Sequence, residues 1–390
     1  MTNLPEIPES LKTKKIAIFY SFLKVRGGAE KLLLSLRNYY KADFFAGAVN
    51  EKYFNKTDTD SFSKDLFNAN YKLEFLHKDS NIPLWYAIKR QLFFLFSPKI
   101  KDLKNYDIVI FSGNVSFVQR RLQKVIDPNK TKLVNYCNTP PRLFTDQYLE
   151  TLRKVPTLFR PFFKLLAKLV RQEYKKDLQV MDLVIANSKN IIRRLEKYLN
   201  YNTKLFAYPP VDVNKYQYIQ TGNFFLSHSR LEDLKRIPMI VEAFGKMPNK
   251  KLVICSTGPL KDWLINEIKT KNLTNINYLG IVSDEKLYEL VGTCLAAIVI
   301  PKDEDFGLVQ CELMSAGKPV IGVKEGGLLE TVIDGETGIL LPTSPKVEDL
   351  ITAVENMTPE LALSMKLKSI IQAQKFSEAE FFQKMNEILG

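Results

Sequence analysis

Histidine is almost missing from this sequence: its 390 residues contain two, His77 and His228. A histidine-rich metal centre is therefore excluded. Cysteine is also sparse. The four residues Cys137, Cys255, Cys294 and Cys311 are far apart and form no C-x-x-C. That spacing argues against a disulfide framework and a cysteine-type zinc site, and fits a reducing compartment. No G-x-x-x-x-G-K-[ST] occurs, which disfavours a P-loop nucleotidase. No stretch approaches the roughly 18 apolar residues that a spanning helix needs. The opening MTNLPEIPESLKTKK has two prolines and two glutamates but no apolar h-region, so it does not read as a secretory signal. The expectation is a cytoplasmic protein, able to lie on a membrane surface.

What is present describes a folded chain in two parts. Hydrophobic residues make up 45% and charged residues 25%, the balance of a globular protein. The length is too great for one ordinary core and suits two domains of about 150–200 residues. The net charge of +13 is unevenly distributed. Residues 1–205 hold 37 Lys and Arg against 19 Asp and Glu, a balance of +18; the remainder hold 19 against 24, a balance of −5. A basic half of this kind suits an anionic partner: nucleic acid, an anionic membrane or a phosphorylated acceptor. No nucleic-acid fold signature accompanies the charge, which disfavours the first.

Short apolar runs recur between longer segments of helical pattern. KIAIFY (15–20), YDIVIF (106–111), KLVNYC (132–137) and DLVIAN (182–187) lie in the first half. NFFLSHS (223–229), KLVICST (251–257), INYLG (276–280), LAAIVIP (295–301), PVIGV (319–323) and GILLP (338–342) lie in the second. Most lack clean alternation and sit beside Gly, Asn or Pro, as buried parallel strands with helical crossovers do. Two such series imply two α/β units, divided near the turn-rich YPPVD (208–212).

The most informative stretch is PKDEDFGLVQCELMSAGKPVIGV (301–323). A strand should end at Ile300-Pro301, followed by an acidic loop, Phe306-Gly307 and a helix from about Leu308 to Ser315. In open α/β sheets, ligands sit at strand carboxyl ends against helix N-termini. Gly307 would allow close backbone approach. Glu304 would lie in the loop, and Glu312 two turns into the helix on the same side. Two glutamates at this spacing are usually just solvated; the strand, acidic loop, glycine, helix and AGKPVI around them make the pattern specific.

This E-x7-E pattern followed by AGKPVI resembles the donor-site signature of family 4 glycosyltransferases, and the resemblance extends over nearly the whole chain. It implies a GT-B fold: two Rossmann-like α/β domains facing a central cleft, with a C-terminal helix crossing back to the first domain. The expected parts are an acceptor domain over 1–207, a donor domain over 208–372 and the returning helix over 373–390. HSRLEDLKR (228–236) resembles the family's grip on the donor diphosphate, with Arg230 and Lys235 as its cations. Two fixed cations can stabilise a leaving diphosphate without a metal. The resemblance gives Glu312 the ribose. It gives Glu304, with the backbone N–H groups of Phe306, Gly307 and Leu308, the sugar hydroxyls or phosphate. CSTGPL (255–260) places Gly258 in a donor-side turn, and NYLGIVSDEKLYELV (277–291) puts Val282 beside the nucleobase. GGLLETVIDGETGILLP (326–342) resembles the family's Gly-rich loop, with Gly326 and Gly327 near the donor. In KVRGGAEK (24–31), Gly27 and Gly28 would bring N–H groups to the diphosphate, and Glu30 would brace their helix.

One departure stands out. YCNTPPRLFTDQY (136–148) resembles a loop of mannosyl- and related transferases, yet Asn138 stands where many relatives carry histidine. Asparagine cannot take a proton at neutral pH, so a histidine base is unavailable there. Front-face retaining transfer, in which the departing phosphate accepts the acceptor's proton, remains compatible. The resemblance thus implies a retaining hexosyltransferase using a GDP- or UDP-sugar, with mannose favoured, a glycan or lipid-linked glycan as acceptor, and neither metal nor other cofactor. Two alternatives stay open: a non-catalytic glycan- or membrane-binding protein of this fold, and a transferase acting on a small soluble acceptor. Asp58-Thr59-Asp60 has the D-x-D form of a metal-binding transferase, but lies in a polar stretch with no strand running into it. Finally, 151–176 carries eight basic residues and one acid, Glu173, while 85–101 carries no acid. Both read as basic amphipathic elements suited to an anionic membrane.

Overall fold

The computed structural model describes residues 4–20, 23, 27–46, 66, 73–75, 98–113 and 118–390. Asp58–Asp60 and residues 85–97 of the second basic stretch lie outside the described residues. The chain divides into two compact units, Glu6–Ala207 with Lys384–Gly390, and Tyr208–Gln383.

The first unit holds a six-stranded parallel sheet: β1 (Ile16–Tyr20), β2 (Asp43–Ala46), β3 (Leu73–Phe75), β4 (Ile108–Ser112), β5 (Lys132–Cys137) and β6 (Leu183–Ala186). Its order is β3-β2-β1-β4-β5-β6. Every residue of β1 and β4 is buried, which is why these runs read as continuously apolar: helices cover both faces of a parallel sheet. The second unit repeats the pattern with β7 (Phe224–Ser227), β8 (Lys251–Ile254), β9 (Ile276–Tyr278), β10 (Ala296–Ile298), β11 (Val320–Val323) and β12 (Gly338–Leu341), all parallel. Its order, β12-β11-β10-β7-β8-β9, is the same when read from its other edge. Both units therefore have the 3-2-1-4-5-6 order of a Rossmann-like sheet. The order reverses between β1 and β4 in one and between β7 and β10 in the other, the point at which such sheets bind ligands.

The closing helix is Glu378–Leu389. It begins later than the expected 373, because Pro359–Gln374 is a separate helix packed on Val309–Ser315. Its last residues belong to the first unit. There Asn386 donates to Tyr39 Oη at 2.7 Å and to the Glu6 carbonyl at 3.3 Å, and accepts from Tyr40 Oη at 2.9 Å. β10 also stops at Ile298, short of the expected Ile300-Pro301. Two residues beyond it turn aside and present their carbonyls to a side chain, as described below.

Candidate functional site

The reversal point of the second sheet collects the charged groups. Past the carboxyl end of β7 the chain runs through His228, Ser229 and Arg230 into a short turn, Asp233–Lys235, and then the helix Ile237–Gly245. Past β10 it enters the loop that carries Glu304. Lys235 Nζ meets Glu304 Oε2 at 2.5 Å, with side chains 19% and 22% exposed. Backbone bonds hold these loops together: Lys302 N–H donates to the Leu234 carbonyl at 2.7 Å, and Gly327 N–H to the Glu304 carbonyl at 2.8 Å. Gly326 has φ +56°, and a Cβ there would lie 2.3 Å from the Glu304 carbonyl oxygen. Only glycine meets both conditions.

Glu312 follows on the next helix, one turn nearer the helix start than expected. The helix is Val309–Ser315 with Leu308 as N-cap, so Glu312 falls in its first turn. Its Oε2 is 3.9 Å from His228 Nε2, both side chains being largely buried. Burial, and the Glu312 charge beside it, push the Tyr216 hydroxyl well above its ordinary value. Neither His228 nor Tyr216 was expected at the site. Only the position of His228 at a strand's end, two residues before Arg230, signalled it.

The other expected residues are placed unevenly. Gly307 adopts φ +87°, and a Cβ would meet Gln310 Nε2 at 2.3 Å. The Phe306 ring is buried, stacked on Tyr208 and edge-on to Phe376. Its carbonyl accepts from Gln310 Nε2 at 2.8 Å. Leu308 and Val282 are partly buried against the core. Gly258 is needed for a close backbone contact. A Cβ there would lie 2.3 Å from the Leu231 carbonyl oxygen, so its bareness lets the Thr257–Leu260 turn pack on the Arg230–Lys235 segment, with Leu231 N–H bonded to Thr257 O and Leu260 N–H to Leu231 O. Arg230 is 58% exposed, with Glu232 3.9 Å away; it is not part of the half-buried Lys235–Glu304 pair.

Gly27, Gly28 and Asn138 lie in the first unit. Gly27 precedes the helix Gly28–Tyr40, but its N–H donates to Glu30 Oε2 at 3.1 Å, while Tyr20 Oη donates to Oε1 at 3.1 Å. One of the two N–H groups expected to face a diphosphate is thus already engaged. Burial raises the Glu30 pKa. Asn138 follows β5 and donates from Nδ2 to Ser112 Oγ, at the end of β4, at 2.8 Å. Among the described residues, no group of three or more His, Cys, Asp or Glu side chains is placed to hold a metal.

The basic segment 151–176 forms two helices, Tyr148–Lys154 and Arg160–Gln179. Ala167, Tyr174 and Leu178 turn inward. Leu158, Phe159, Phe162, Leu165 and Leu169 face outward, Leu158 at 84% and Phe162 at 67% exposure. Arg153, Lys154, Lys164 and Lys168 are exposed along the same segment.

Two six-stranded Rossmann-like sheets are the architecture of the GT-B fold. Sucrose-phosphate synthase from Thermosynechococcus elongatus superposes with a TM-score of 0.74 over 95% of this chain and 98% of that one, at 16% identity. Anabaena HepE in complex with UDP-glucose gives 0.69 over 96% and 99%, at 18% identity. Residues 211–370, most of the second unit, match the family Glycosyl transferases group 1. In sequence the chain is 29% identical over 297 residues to the alpha-1,3/1,6-mannosyltransferase ALG2 of Dictyostelium discoideum, covering 66% of this chain and 70% of that one. Among the described residues no helix is long and apolar enough to cross a membrane.

Proposed function

We propose that this glycosyltransferase moves a hexosyl group, with mannose favoured, from a nucleoside-diphosphate sugar to a glycan or lipid-linked glycan, keeping the anomeric configuration and using no metal. The observation that carries this reading is the Lys235–Glu304 pair at the reversal point of the second sheet, where such folds bind nucleotides. Lys235, with Arg230 at the rim, faces the diphosphate and stabilises the charge that builds on it as the bond to the sugar C1 breaks. Glu304 and the N–H groups of Phe306, Gly307 and Leu308 take the sugar hydroxyls or phosphate, and Glu312 takes the ribose. An acceptor oxygen bonds to C1 on the face the diphosphate leaves, and its proton passes to the departing phosphate oxygen. Asn138, neutral and bonded to Ser112, orients a hydroxyl without taking a proton. The UDP-glucose bound by HepE supports a nucleotide-sugar donor; likeness to ALG2 supports mannose.

Lys235 is held by Glu304, so a donor must draw the cation towards its diphosphate. A donor at about 100 times its Kd should raise stability by about 2.7 kcal/mol, a Tm shift of roughly 5–10 °C in a thermal melt. Comparing GDP-mannose, UDP-glucose, GDP and UDP identifies the base. The absence of a shift with all four would sink the donor-site reading. Transfer should also persist in EDTA, and strict dependence on a divalent ion would overturn the metal-free mechanism. We further propose that the outward face of 151–172 rests on an anionic membrane, which would bring a lipid-linked acceptor to the first unit.

A further inference from the structure

The residue after Lys235 is the most heavily engaged cation of the second unit. Arg236 has φ +52°, a left-handed conformation in a non-glycine residue that costs about 1–2 kcal/mol. Its guanidinium is buried and donates four hydrogen bonds. Nη1 reaches the carbonyls of Ile300 at 2.8 Å and Pro301 at 2.7 Å; Nη2 reaches Glu325 Oε1 at 2.7 Å and Oε2 at 2.9 Å. Glu325 in turn accepts from Asp303 N–H at 3.1 Å and Ser344 N–H at 2.7 Å. One side chain thus ties together three segments: the turn that carries Lys235, the loop that carries Glu304, and the strand end that leads into Gly326-Gly327.

We propose that Arg236, with Glu325, is a positioning residue for donor binding: it fixes the distance between Lys235 and the Glu304 loop and so pre-sets the diphosphate grip. The inference rests on the donor-site reading above. Three observations argue for positioning rather than general stability. A buried ion pair gains little over an apolar packing of similar volume, because desolvation offsets attraction. A glycine would satisfy the backbone at 236 without strain, so the side chain's contribution lies in its contacts. Those contacts go to backbone carbonyls two and three residues past the point where β10 stops, and keep the chain turned aside into the Glu304 loop. The planar fork of arginine suits two directions at once, carbonyls on one nitrogen and a carboxylate on the other; lysine cannot match it.

The test uses the full-length protein and measures Kd for GDP and UDP by calorimetry. Arg236→Gly keeps the backbone conformation and removes the fork; Arg236→Lys keeps the charge; Glu325→Gln weakens the other half. Melting curves confirm that each variant is folded at the assay temperature, and Arg236→Lys with Glu325→Gln carry the test if the glycine variant is not. Arg236→Gly should weaken binding of the preferred nucleotide about tenfold or more, with Arg236→Lys and Glu325→Gln intermediate. The same change in a Lys235→Ala background should cost less than about twofold, because the residue it positions is gone. Equal losses in both backgrounds, or an unchanged Kd in folded Arg236 variants, would overturn the proposal. If Lys235→Ala alone leaves Kd unchanged, the donor-site reading fails; if Lys235→Ala weakens binding and the Arg236 variants do not, only the positioning role fails.

Discussion

Lys235→Ala should lower kcat/KM for sugar transfer by roughly 10²–10³, the scale of losing one preorganised charge from a transition state. Most of the loss should fall in kcat, because the cation does more as the diphosphate gathers charge than while the donor is merely bound. Glu304→Ala should be equally damaging for another reason: it removes the acceptor for the sugar's hydroxyls and frees Lys235 to swing. Both residues sit about one-fifth exposed in a surface-connected loop pair, so either change should cost on the order of 1 kcal/mol in stability. A melt and a transfer assay on the same samples separate the two effects. Turnover near the wild-type rate in either variant would remove that residue from the site. Slow hydrolysis of the donor without acceptor, present in the wild type and lost in both variants, would also separate an enzyme from a binding protein of the same fold.

The sheets were readable in outline because a parallel sheet buries both faces, and uninterrupted apolar runs such as KIAIFY and YDIVIF become β1 and β4 with every strand residue buried. β2 and β3 were not singled out. DFFA and LEF each carry an acid and no β-branched residue, so neither stands out as a buried strand. At the site, residue types were legible and geometry was not. Gly258 fitted a donor-side turn, but the close approach of Leu231 that its missing Cβ allows is visible only in the fold. Gly27 looked like an anion-facing amide, but its helix's own Glu30 takes that amide. Lys318 was visible as the lysine of AGKPVI; its burial, its bonds to the carbonyls of Gln220 and Cys294, and a pKa lowered to about 8 by that burial all arise from tertiary packing. Arg236 was hidden most completely. Nothing in LKRIP announces a left-handed residue, and its partner Glu325 is 89 positions away.

The outward face of the 151–172 segment should bind vesicles containing about 30% phosphatidylserine at low salt, and replacing Arg153, Lys154, Lys164 and Lys168 with glutamine should weaken that binding by roughly 10²–10³, since each basic residue near an anionic surface contributes about 1 kcal/mol. The four side chains are exposed, so the fold should tolerate their loss. Charge alone would also attract a soluble acidic partner, and the apolar residues decide between the two. Leu158, Phe162, Leu165 and Leu169 recur every three or four positions and point outward, a stripe that water does not reward and an acyl boundary does. Raising salt to about 0.5 M screens the charges but leaves apolar insertion in place. Residual binding at high salt, lost in Leu158→Ser/Phe162→Ser, is therefore the signature of a membrane rather than of a charged partner. Wild-type protein that stays in the supernatant at low salt, or binds neutral vesicles as well as anionic ones, would overturn the assignment. The +18 balance of residues 1–205 would then have to be explained by a charged acceptor met in solution, and Asn138 and Ser112, at the strand ends of that same unit, would be the first residues to test against it.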